Sequence, residues 1–593
     1  MKAVILTAGS GRRMRPLTDH QHKTLISIQG RSVIQWIVDA LLEHGIDQIH
    51  VVTGHQAGEL KAHLDQVYPS LPIAYIHNKR YAETNNIHSL ALALENMDLD
   101  SDVILIECDL IFDPAVIGRL LASPHRNVAL VDHYRSGMDG TVVSVANGLI
   151  TEVIPPHRQD TGFRFDDKYK TLNIYRFSGE FCAGPFRKLL AFYSTAINDN
   201  VFYELVLGIL VYLQHATIHA ETLQGEKWAE LDDPNDVAEA RFHFEPELRQ
   251  AFLDRSFGGH WNYNLLDFCF IRNMYFPTGA IHSELRNMLP ALVQSYGSAQ
   301  SILNQKLAYH LLCRPERLMV LNGASQAFPW LQTFFANRRV LIPRPTFGEY
   351  PRIFPDAGHY ADEVGMDVGE ISRLARRHDV IVLVNPNNPT GTILPTEWAY
   401  EFAAANPDKD FIVDESFIEF SGQSGLPSLL EAEPLSNVIL LRSLGKTLGV
   451  PGLRLGYVYT AHEGFLDAVR RAMPIWNLNA LAECFLEIIL KHRPALQTSF
   501  ERTMADREAF AEQLRNIPLV KAVHPSGGNF LLVELCCSRT EGTTIAGRLL
   551  REHDIQVKDV SARFQKPSAF WRLAVRLPEE NARLVRYLEA VVP

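Results

Sequence analysis

The chain has 593 residues, 47% of them hydrophobic and 21% charged, a globular balance that excludes a disordered polymer. At roughly 100–200 residues per domain, this length disfavours a single compact core. Lys plus Arg number 57 against 68 Asp plus Glu, a formal charge of −11, so there is no overall footprint for nucleic acid or an anionic membrane, and an anionic substrate must be held by local basic groups.

Over residues 1–240 the apolar runs KAVILTAG, QIHVVTG and DVILIECD alternate with helical patterns such as SVIQWIVDALLEHG. This rhythm predicts a parallel sheet with helices on both faces. Residues 241–257 mix charge and aromatics without a clear strand, lead into the Gly258–Gly259 pair, and read as a linker. Over 258–593 the α/β rhythm resumes with RVLIPRPTFGEY, DVIVLVNPNNPTG, DFIVDESFIEF and NVILLRSLGKTLGVPGLRLGYV. No internal repeat connects the halves, so two unrelated catalytic domains fused end to end is the simplest reading. The apolar start runs directly into Gly9, Gly11, Arg12 and Arg13, a poor signal peptide. No uncharged apolar run approaches the ~20 residues of a membrane span. The seven cysteines show no CxxC pair and no Cys/His ligand spacing, which points away from a disulfide scaffold or structural zinc and toward the cytoplasm.

After the first strand comes AGSGRRMRPLTDHQHKTL. Exposed backbone N–H groups at Gly9 and Gly11 suit a triphosphate, and Arg13 and Lys23 supply charge for a pyrophosphate leaving group. The GxGxxG spacing of a dinucleotide turn is absent. Gly9, Gly11, Arg13, Met14, Pro16, Leu17, Thr18 and Lys23 resemble the signature of the sugar-nucleotide and phosphocholine nucleotidyltransferases, except that His22 replaces the usual proline. The segment NKRYAETNNIHSL is similar to the branch that activates amine-bearing phosphates and phosphonates, and makes Asn78, Asn85, Asn86 and Ser89 candidate contacts to nucleotide or acceptor. Asp109 ends a strand, where doubly wound sheets place ligand-binding groups. In WAELDDPND, Glu230 and Asp232 fall on one side of an extended strand, and with Asp109 they are the expected Mg²⁺ ligands. Tyr193, Tyr203 and Glu204 are candidates to line an acceptor amine, with a packed helix face as the plainer alternative.

In the second half Lys446 follows a strand in the small-residue setting SLGKTLG. The ordered motifs NGASQ, PTFGEY, NPNNPTG, DESFIEF, SLGK and GLRLGY resemble fold-type I, class I/II pyridoxal phosphate enzymes. The resemblance implies that Lys446 carries the cofactor, Asp414 faces its pyridine nitrogen, Asn388 its O3′ and Phe347 its ring face. Ala324, Ser325, Ser443 and Arg454 would take its phosphate, and Arg572 a substrate carboxylate. In relatives a tyrosine from the opposite subunit also reaches the phosphate; Tyr296 matches it loosely and implies a homodimer through the C-terminal domain. Phe417 stands where histidinol-phosphate aminotransferases carry a tyrosine, and GGHWNYNLLDF and RLAVR look more like threonine-phosphate decarboxylase.

The fused architecture resembles the bifunctional nucleotidyltransferase/decarboxylases of fosmidomycin-type phosphonate antibiotic biosynthesis. That resemblance implies an α/β chain with a Rossmann-like nucleotidyltransferase domain and a C-terminal aspartate aminotransferase-like domain. The implied chemistry is transfer of CMP from CTP to 2-amino-4-phosphonobutyrate and its decarboxylation, giving CMP-5′-(3-aminopropyl)phosphonate. Two alternatives stay open at this point: a cytidylyltransferase for aminoethylphosphonate or phosphocholine fused to a transaminase, and a nucleotide-sensing module regulating a pyridoxal enzyme.

Overall fold

A computed structural model describes every residue except Thr161, His260, Val364, Val592 and Pro593. His260, part of the expected opening of the second domain, therefore lies outside the described residues. The chain divides into two compact units, Met1–Asn264 and Leu265–Pro593. No helix among the described residues is long and apolar enough to cross a membrane.

The first unit contains β1 (Lys2–Leu6), α1 (Val33–Glu43), β2 (Gln48–Thr53), α2 (Ala57–Val67), β3 (Ile73–His77), α3 (Asn86–Asn96) and β4 (Val103–Glu107). There follow β5 (Leu110–Phe112), β6 (Val128–His133), β7 (Val142–Ala146), β8 (Leu149–Ile154), β9 (Tyr169–Phe177), α4 (Glu204–Tyr212), β10 (His219–Thr222) and β11 (Trp228–Glu230). The nine-stranded sheet runs β3-β2-β1-β4-β9-β6-β10-β8-β7. Its β3-β2-β1-β4 half is parallel, as the apolar runs predict, and β9 then enters antiparallel against both β4 and β6. Period-two alternation sends Ala3 and Ile5 into the core on one face and Val4 and Leu6 into the core on the other, which is why β1 is apolar throughout. Parallel pairing places Leu6 beside both Val52 and Glu107. The Gly-rich turn therefore opens directly next to the end of β4.

The expected linker over 241–257 is instead helical and belongs to the first unit. Helix α5 (Pro234–Phe244) starts at an Asp233/Asp236 capping box, and α6 (Arg249–Ser256) follows. Phe244 is 5% exposed and meets Trp36 edge-on at 5.3 Å, while Phe242 stacks on Tyr263 at 4.7 Å. Charged residues on the outer face of these short helices concealed the buried aromatic positions in the sequence.

In the second unit β12 (Leu318–Asn322), α8 (Ala327–Phe334), β13 (Val340–Arg344), β14 (Gly358–Ala361), β15 (Val380–Val384), β16 (Asp410–Asp414), β17 (Val438–Ser443) and β18 (Leu455–Thr460) follow α7 (Gly279–Val293). The seven-stranded sheet runs β12-β18-β17-β16-β15-β13-β14, antiparallel only where β18 meets β12 and β17. Leu383, Val413 and Leu440 face one core cluster, and Val382, Ile412 and Leu441 the other. A long helix α9 (Arg493–Arg515) leads to a smaller antiparallel sheet ordered β19 (Val520–Val523), β20 (Phe530–Ser538), β22 (Ser568–Ala574) and β21 (Lys558–Asp559). Register aligns Val384 with Asp414 and Asp414 with Leu441, so the turns following β15, β16 and β17 open at one edge.

If 241–257 is structural, Phe244→Ala in the full chain should lower the stability of the first unit by about 3–5 kcal/mol. Denaturant unfolding followed by a reporter in that unit measures this; a change within about 0.5 kcal/mol, normal for a surface position, would restore the linker reading.

Candidate functional site

In the first unit the turn after β1 is held by three devices. Gly11 has φ +58°, and a Cβ there would approach Lys23 Cβ at 3.2 Å, so glycine is required both for the left-handed conformation and for space. Thr18 donates its hydroxyl to the Gly11 carbonyl at 2.9 Å. His22, fully buried, bridges Thr7 O through Nε2 at 3.0 Å and accepts from Thr24 N through Nδ1. Burial pulls its pKa down to about 4, so a neutral ring does the work of the absent proline in fixing the approach to Lys23.

The turn borders a cavity of about 360 Å³, within the range of small-ligand sites. Gly9, Gly11, Arg13, Lys23, Asp109 and Asp232 line it, as do Asn78, Asn85, Asn86 and Ser89. Lys23 Nζ lies 2.7 Å from Asp109 Oδ2, and Arg13 Nη2 lies 2.6 Å from Asp232 Oδ1. Burial and then the Asp109 charge raise the Asp232 carboxyl, whereas for Asp109 the charge and hydrogen bond of Lys23 outweigh burial and hold it below the ordinary value. Asp109 Oδ1 is buried and has no hydrogen-bond partner.

Of the three expected metal ligands, Glu230 is placed apart from the other two. It lies outside the cavity lining and is paired through Oε2 with the buried Lys170 at 2.9 Å, while its Oε1 accepts from Asn173 at 3.3 Å. Burial pushes its pKa up to about 7. Among the described residues no three His, Cys, Asp or Glu side chains are grouped to hold a metal ion. Two carboxylates, Asp109 and Asp232, with an unpartnered oxygen on the first, still fit Mg²⁺, which binds one or two carboxylates and keeps its other positions for water and phosphate oxygens.

The four polar residues of the second motif are engaged within the protein. Asn78 donates to Thr84 and Ser89 at 3.1 Å and accepts from Arg80 N. Asn85 caps α3 through Asn86 N. Asn86 donates to Glu107 Oε1 at 3.0 Å and accepts from Tyr203 N at 2.9 Å. Tyr203 and Glu204 are 0% and 6% exposed and lie behind the cavity rather than on it; Tyr193 packs against the core. Their neighbour Phe202 does line it. Sequence reading missed Glu107, two positions before Asp109 and also on the wall. Burial and then the neighbouring Glu204 and Asp109 push its carboxyl well above the ordinary range.

In the second unit the expected residues converge on the strand ends. Asp414 ends β16, is 7% exposed, and accepts from Ser416 N and Oγ at 3.0 and 2.6 Å and from Tyr350 OH at 2.9 Å. Tyr350, in the PTFGEY motif, was not singled out from the sequence. Ser443 N donates to Ser416 Oγ at 3.0 Å, tying the turn before Lys446 to that group. Phe417 belongs to a small core cluster against Phe530. Arg572 reaches from β22, donating Nη1 to Asn388 Oδ1 at 3.2 Å and Nη2 to the Cys269 carbonyl. Its Nε is buried without a partner, and burial pulls its pKa down to about 10. Arg454 holds φ +55° and donates to Ser325 Oγ at 2.9 Å. Burial, followed by the charges of Arg572 and Arg454, lowers the Lys446 pKa to about 8. Phe347 is 37% exposed and its loop is held by Thr346, which donates to Asn387 at 2.8 Å. Asn387 and Thr390 in turn donate to the fully buried Asp362. Tyr296, 79% exposed, stacks on Trp476 at 4.5 Å.

This set fits pyridoxal phosphate. A Cβ on Gly456 would lie 2.4 Å from Ala324 N, and one on Gly323 would lie 2.4 Å from Arg454 Nη2. The two glycines thus keep the Ala324, Ser325 and Arg454 donors together, where a phosphate needs them. Asp414 has hydroxyl and amide donors and, among the described residues, no ion-pair partner, which leaves place for a protonated pyridine nitrogen. Lys446 is the half-buried amine.

Comparison with known proteins agrees. The MobA-like NTP transferase domain matches residues 3–224, and Aminotransferase class I and II matches residues 277–588. The chain is 29% identical over 605 residues to CMP-5′-(3-aminopropyl)phosphonate synthase of Streptomyces rubellomurinus, covering 100% of this chain and 95% of that protein. It is 28% identical to threonine-phosphate decarboxylase of Salmonella typhimurium over 55% of this chain and 91% of that one. Histidinol-phosphate aminotransferase from Clostridium acetobutylicum shares the fold, with a TM-score of 0.50 and 24% identity over 55% of this chain and 99% of that structure. The chain thus joins an N-terminal NTP transferase domain to a C-terminal pyridoxal phosphate enzyme domain, and it belongs to the class I and II aminotransferase family.

Proposed function

We propose that the chain transfers CMP from CTP to the phosphonate of 2-amino-4-phosphonobutyrate and removes the α-carboxylate, giving CMP-5′-(3-aminopropyl)phosphonate. The observation that carries the first half is the Lys23–Asp109 pair beneath the Gly9–Gly11 turn, in a cavity that also holds Arg13 and Asp232. A phosphonate oxygen attacks the α-phosphorus of CTP, and the bond to the bridging oxygen breaks as pyrophosphate leaves with the electron pair. Lys23 and Arg13 offset the charge growing on the leaving group. Asp109 and Asp232 would hold Mg²⁺, which supplies positive charge beside the triphosphate.

In the second unit bound pyridoxal phosphate supplies an electron sink for the pair released at the substrate Cα. Asp414 would hold the pyridine nitrogen protonated, and Arg572, fixed by Asn388, would orient the carboxylate. The Cα–carboxylate bond breaks, CO₂ leaves, and Lys446 returns a proton to Cα. Decarboxylation is favoured over transamination by the full-length similarity to the Streptomyces synthase and by the similarity to threonine-phosphate decarboxylase. Homodimerisation through the C-terminal domain is supported by exposed apolar side chains at Met288, Leu289, Val293, Ile475 and Trp476, the last stacked on Tyr296. The free cysteines are consistent with a cytoplasmic setting.

Separate variants should separate the activities. Lys23→Ala and Asp109→Ala should each lower pyrophosphate release at least about 100-fold, as loss of a transition-state charge contact does, while CO₂ release from the free amino acid persists. Lys446→Ala should do the reverse, and borohydride should fix pyridoxal phosphate to the wild type but not to this variant. Pyrophosphate release unaffected by Asp109→Ala would contradict the metal assignment; keto product that depends on 2-oxoglutarate would replace decarboxylation by transamination.

The lowered Lys446 pKa sets a pH dependence. Only the neutral amine captures the cofactor aldehyde, so loading of cofactor-free protein should accelerate as pH rises through about 8. In Arg572→Gln the neighbouring positive charge is gone, the ammonium is less disfavoured, and the midpoint should move upward. Stopped-flow absorbance measures it, and a midpoint that stays fixed or falls would contradict the electrostatic account.

A further inference from the structure

We infer that Glu107 is the specificity determinant for the acceptor, binding its ammonium group through a charge-assisted hydrogen bond at the inner wall of the nucleotidyl-transfer cavity. This rests on the nucleotidyltransferase reading above.

The cavity has charges of both signs, and most of them are already matched. Asp109 is paired with Lys23 and Asp232 with Arg13. Glu107 also lines the cavity, yet among the described residues it has no Lys or Arg within ion-pair distance. It accepts from the neutral Asn86 amide through Oε1 at 3.0 Å. Behind it sits Glu204, 6% exposed, with Oε2 buried and unpartnered. Tyr203 is 0% exposed, and its hydroxyl lies beside the Glu107 carboxyl group. An acidic group on the cavity wall with no Lys or Arg partner, backed by a second one, suits a ligand ammonium, which would favour its ionised form.

A metal ion fits this place poorly. Among the described residues no three carboxylate, thiol or imidazole groups are arranged to share one, although Glu107 is only two positions from Asp109. An ammonium fits better. It needs a single carboxylate and an apolar wall for the attached carbon chain, and Tyr81 and Phe202 provide aromatic surface in the same cavity. Asn86 is a positioning residue: its amide is gripped by Tyr203 N at 2.9 Å, which orients Glu107 toward the cavity. The basic turn at Gly9–Arg13 and the acidic wall at Glu107 together suit a ligand with an oxyanion at one end and an amine at the other.

The test compares two acceptors that differ only in the amine, 3-aminopropylphosphonate and propylphosphonate, by pyrophosphate release with CTP and Mg²⁺. Wild type should favour the amine. The ratio of kcat/KM for the amine-bearing over the amine-free acceptor should fall about 10- to 100-fold in Glu107→Gln, the worth of a hydrogen bond to a charged group. Glutamine keeps the acceptor for Asn86, so the fold is preserved, and Glu107→Asp, which keeps the charge, should retain part of the preference. A ratio that is unchanged in Glu107→Gln, or a wild type indifferent to the amine while transferring CMP to both acceptors, would overturn the inference and leave the nucleotidyl-transfer reading standing. Transfer to neither acceptor nor to 2-amino-4-phosphonobutyrate would overturn that reading itself.

Discussion

Removing an ionised group from water demands a partner, and the architecture of both units follows from how that demand is met. Lys170 with Glu230, and Arg442 with Glu415 and Glu419, are buried pairs closed within the protein. Such pairs contribute little net stability, but losing either partner is costly because the other charge is left stranded. Lys23 with Asp109 is of the same kind and also borders a cavity. Lys446 differs. Its nearest charged influences are two arginines, so the site holds excess positive charge where a phosphate and a carboxylate are expected to sit. Glu107 is the converse case in the first unit.

The scaffolds bring these groups together by register. Parallel pairing of Leu6 with Glu107 sets the Gly-rich turn against the Glu107–Asp109 corner, and β11 pairs with β5 so that Glu230 stands opposite Leu110. In the second unit Val384, Asp414 and Leu441 are neighbours across three parallel strands. The turns carrying Asn388, Ser416 and Lys446 consequently start from one line. Both arrangements are instances of the rule that open α/β sheets bind ligands beyond the carboxyl ends of their strands. The net charge of −11 is compatible with anionic ligands because Arg13, Lys23, Arg454 and Arg572 are concentrated at these edges.

Legibility from sequence depended on whether an interaction is local. The two α/β units were readable because buried parallel strands leave continuous apolar runs, and the turn motifs were readable because glycine at φ +58° or +79° leaves a fixed mark. Lys446 sits in such a marked segment, whereas Asp414 and Arg572 were read from the order of the motifs. Pairings between distant segments left no mark. The Glu230–Lys170 bond spans sixty positions, so a period-two argument on WAELDD placed Glu230 beside Asp232 without revealing that a buried lysine holds it. Asn78, Asn85 and Asn86 line the cavity as expected of ligand contacts, but their partners Ser89, Asp199 and Glu107 are apparent only in the fold. Residues 241–257 failed for another reason: short helices with one buried aromatic face and a charged outer face have the composition of a linker.

The account stands on two chemistries acting on one acceptor, and product analysis addresses that directly. Incubation of the holoenzyme with CTP, Mg²⁺ and 2-amino-4-phosphonobutyrate carrying ¹³C in the carboxylate should release ¹³CO₂ and pyrophosphate in equal amounts. Mass spectrometry should then show a single CMP-linked aminopropylphosphonate without label. A CMP ester that keeps the labelled carboxylate, or a nucleotide pool with no phosphonate adduct, would contradict it.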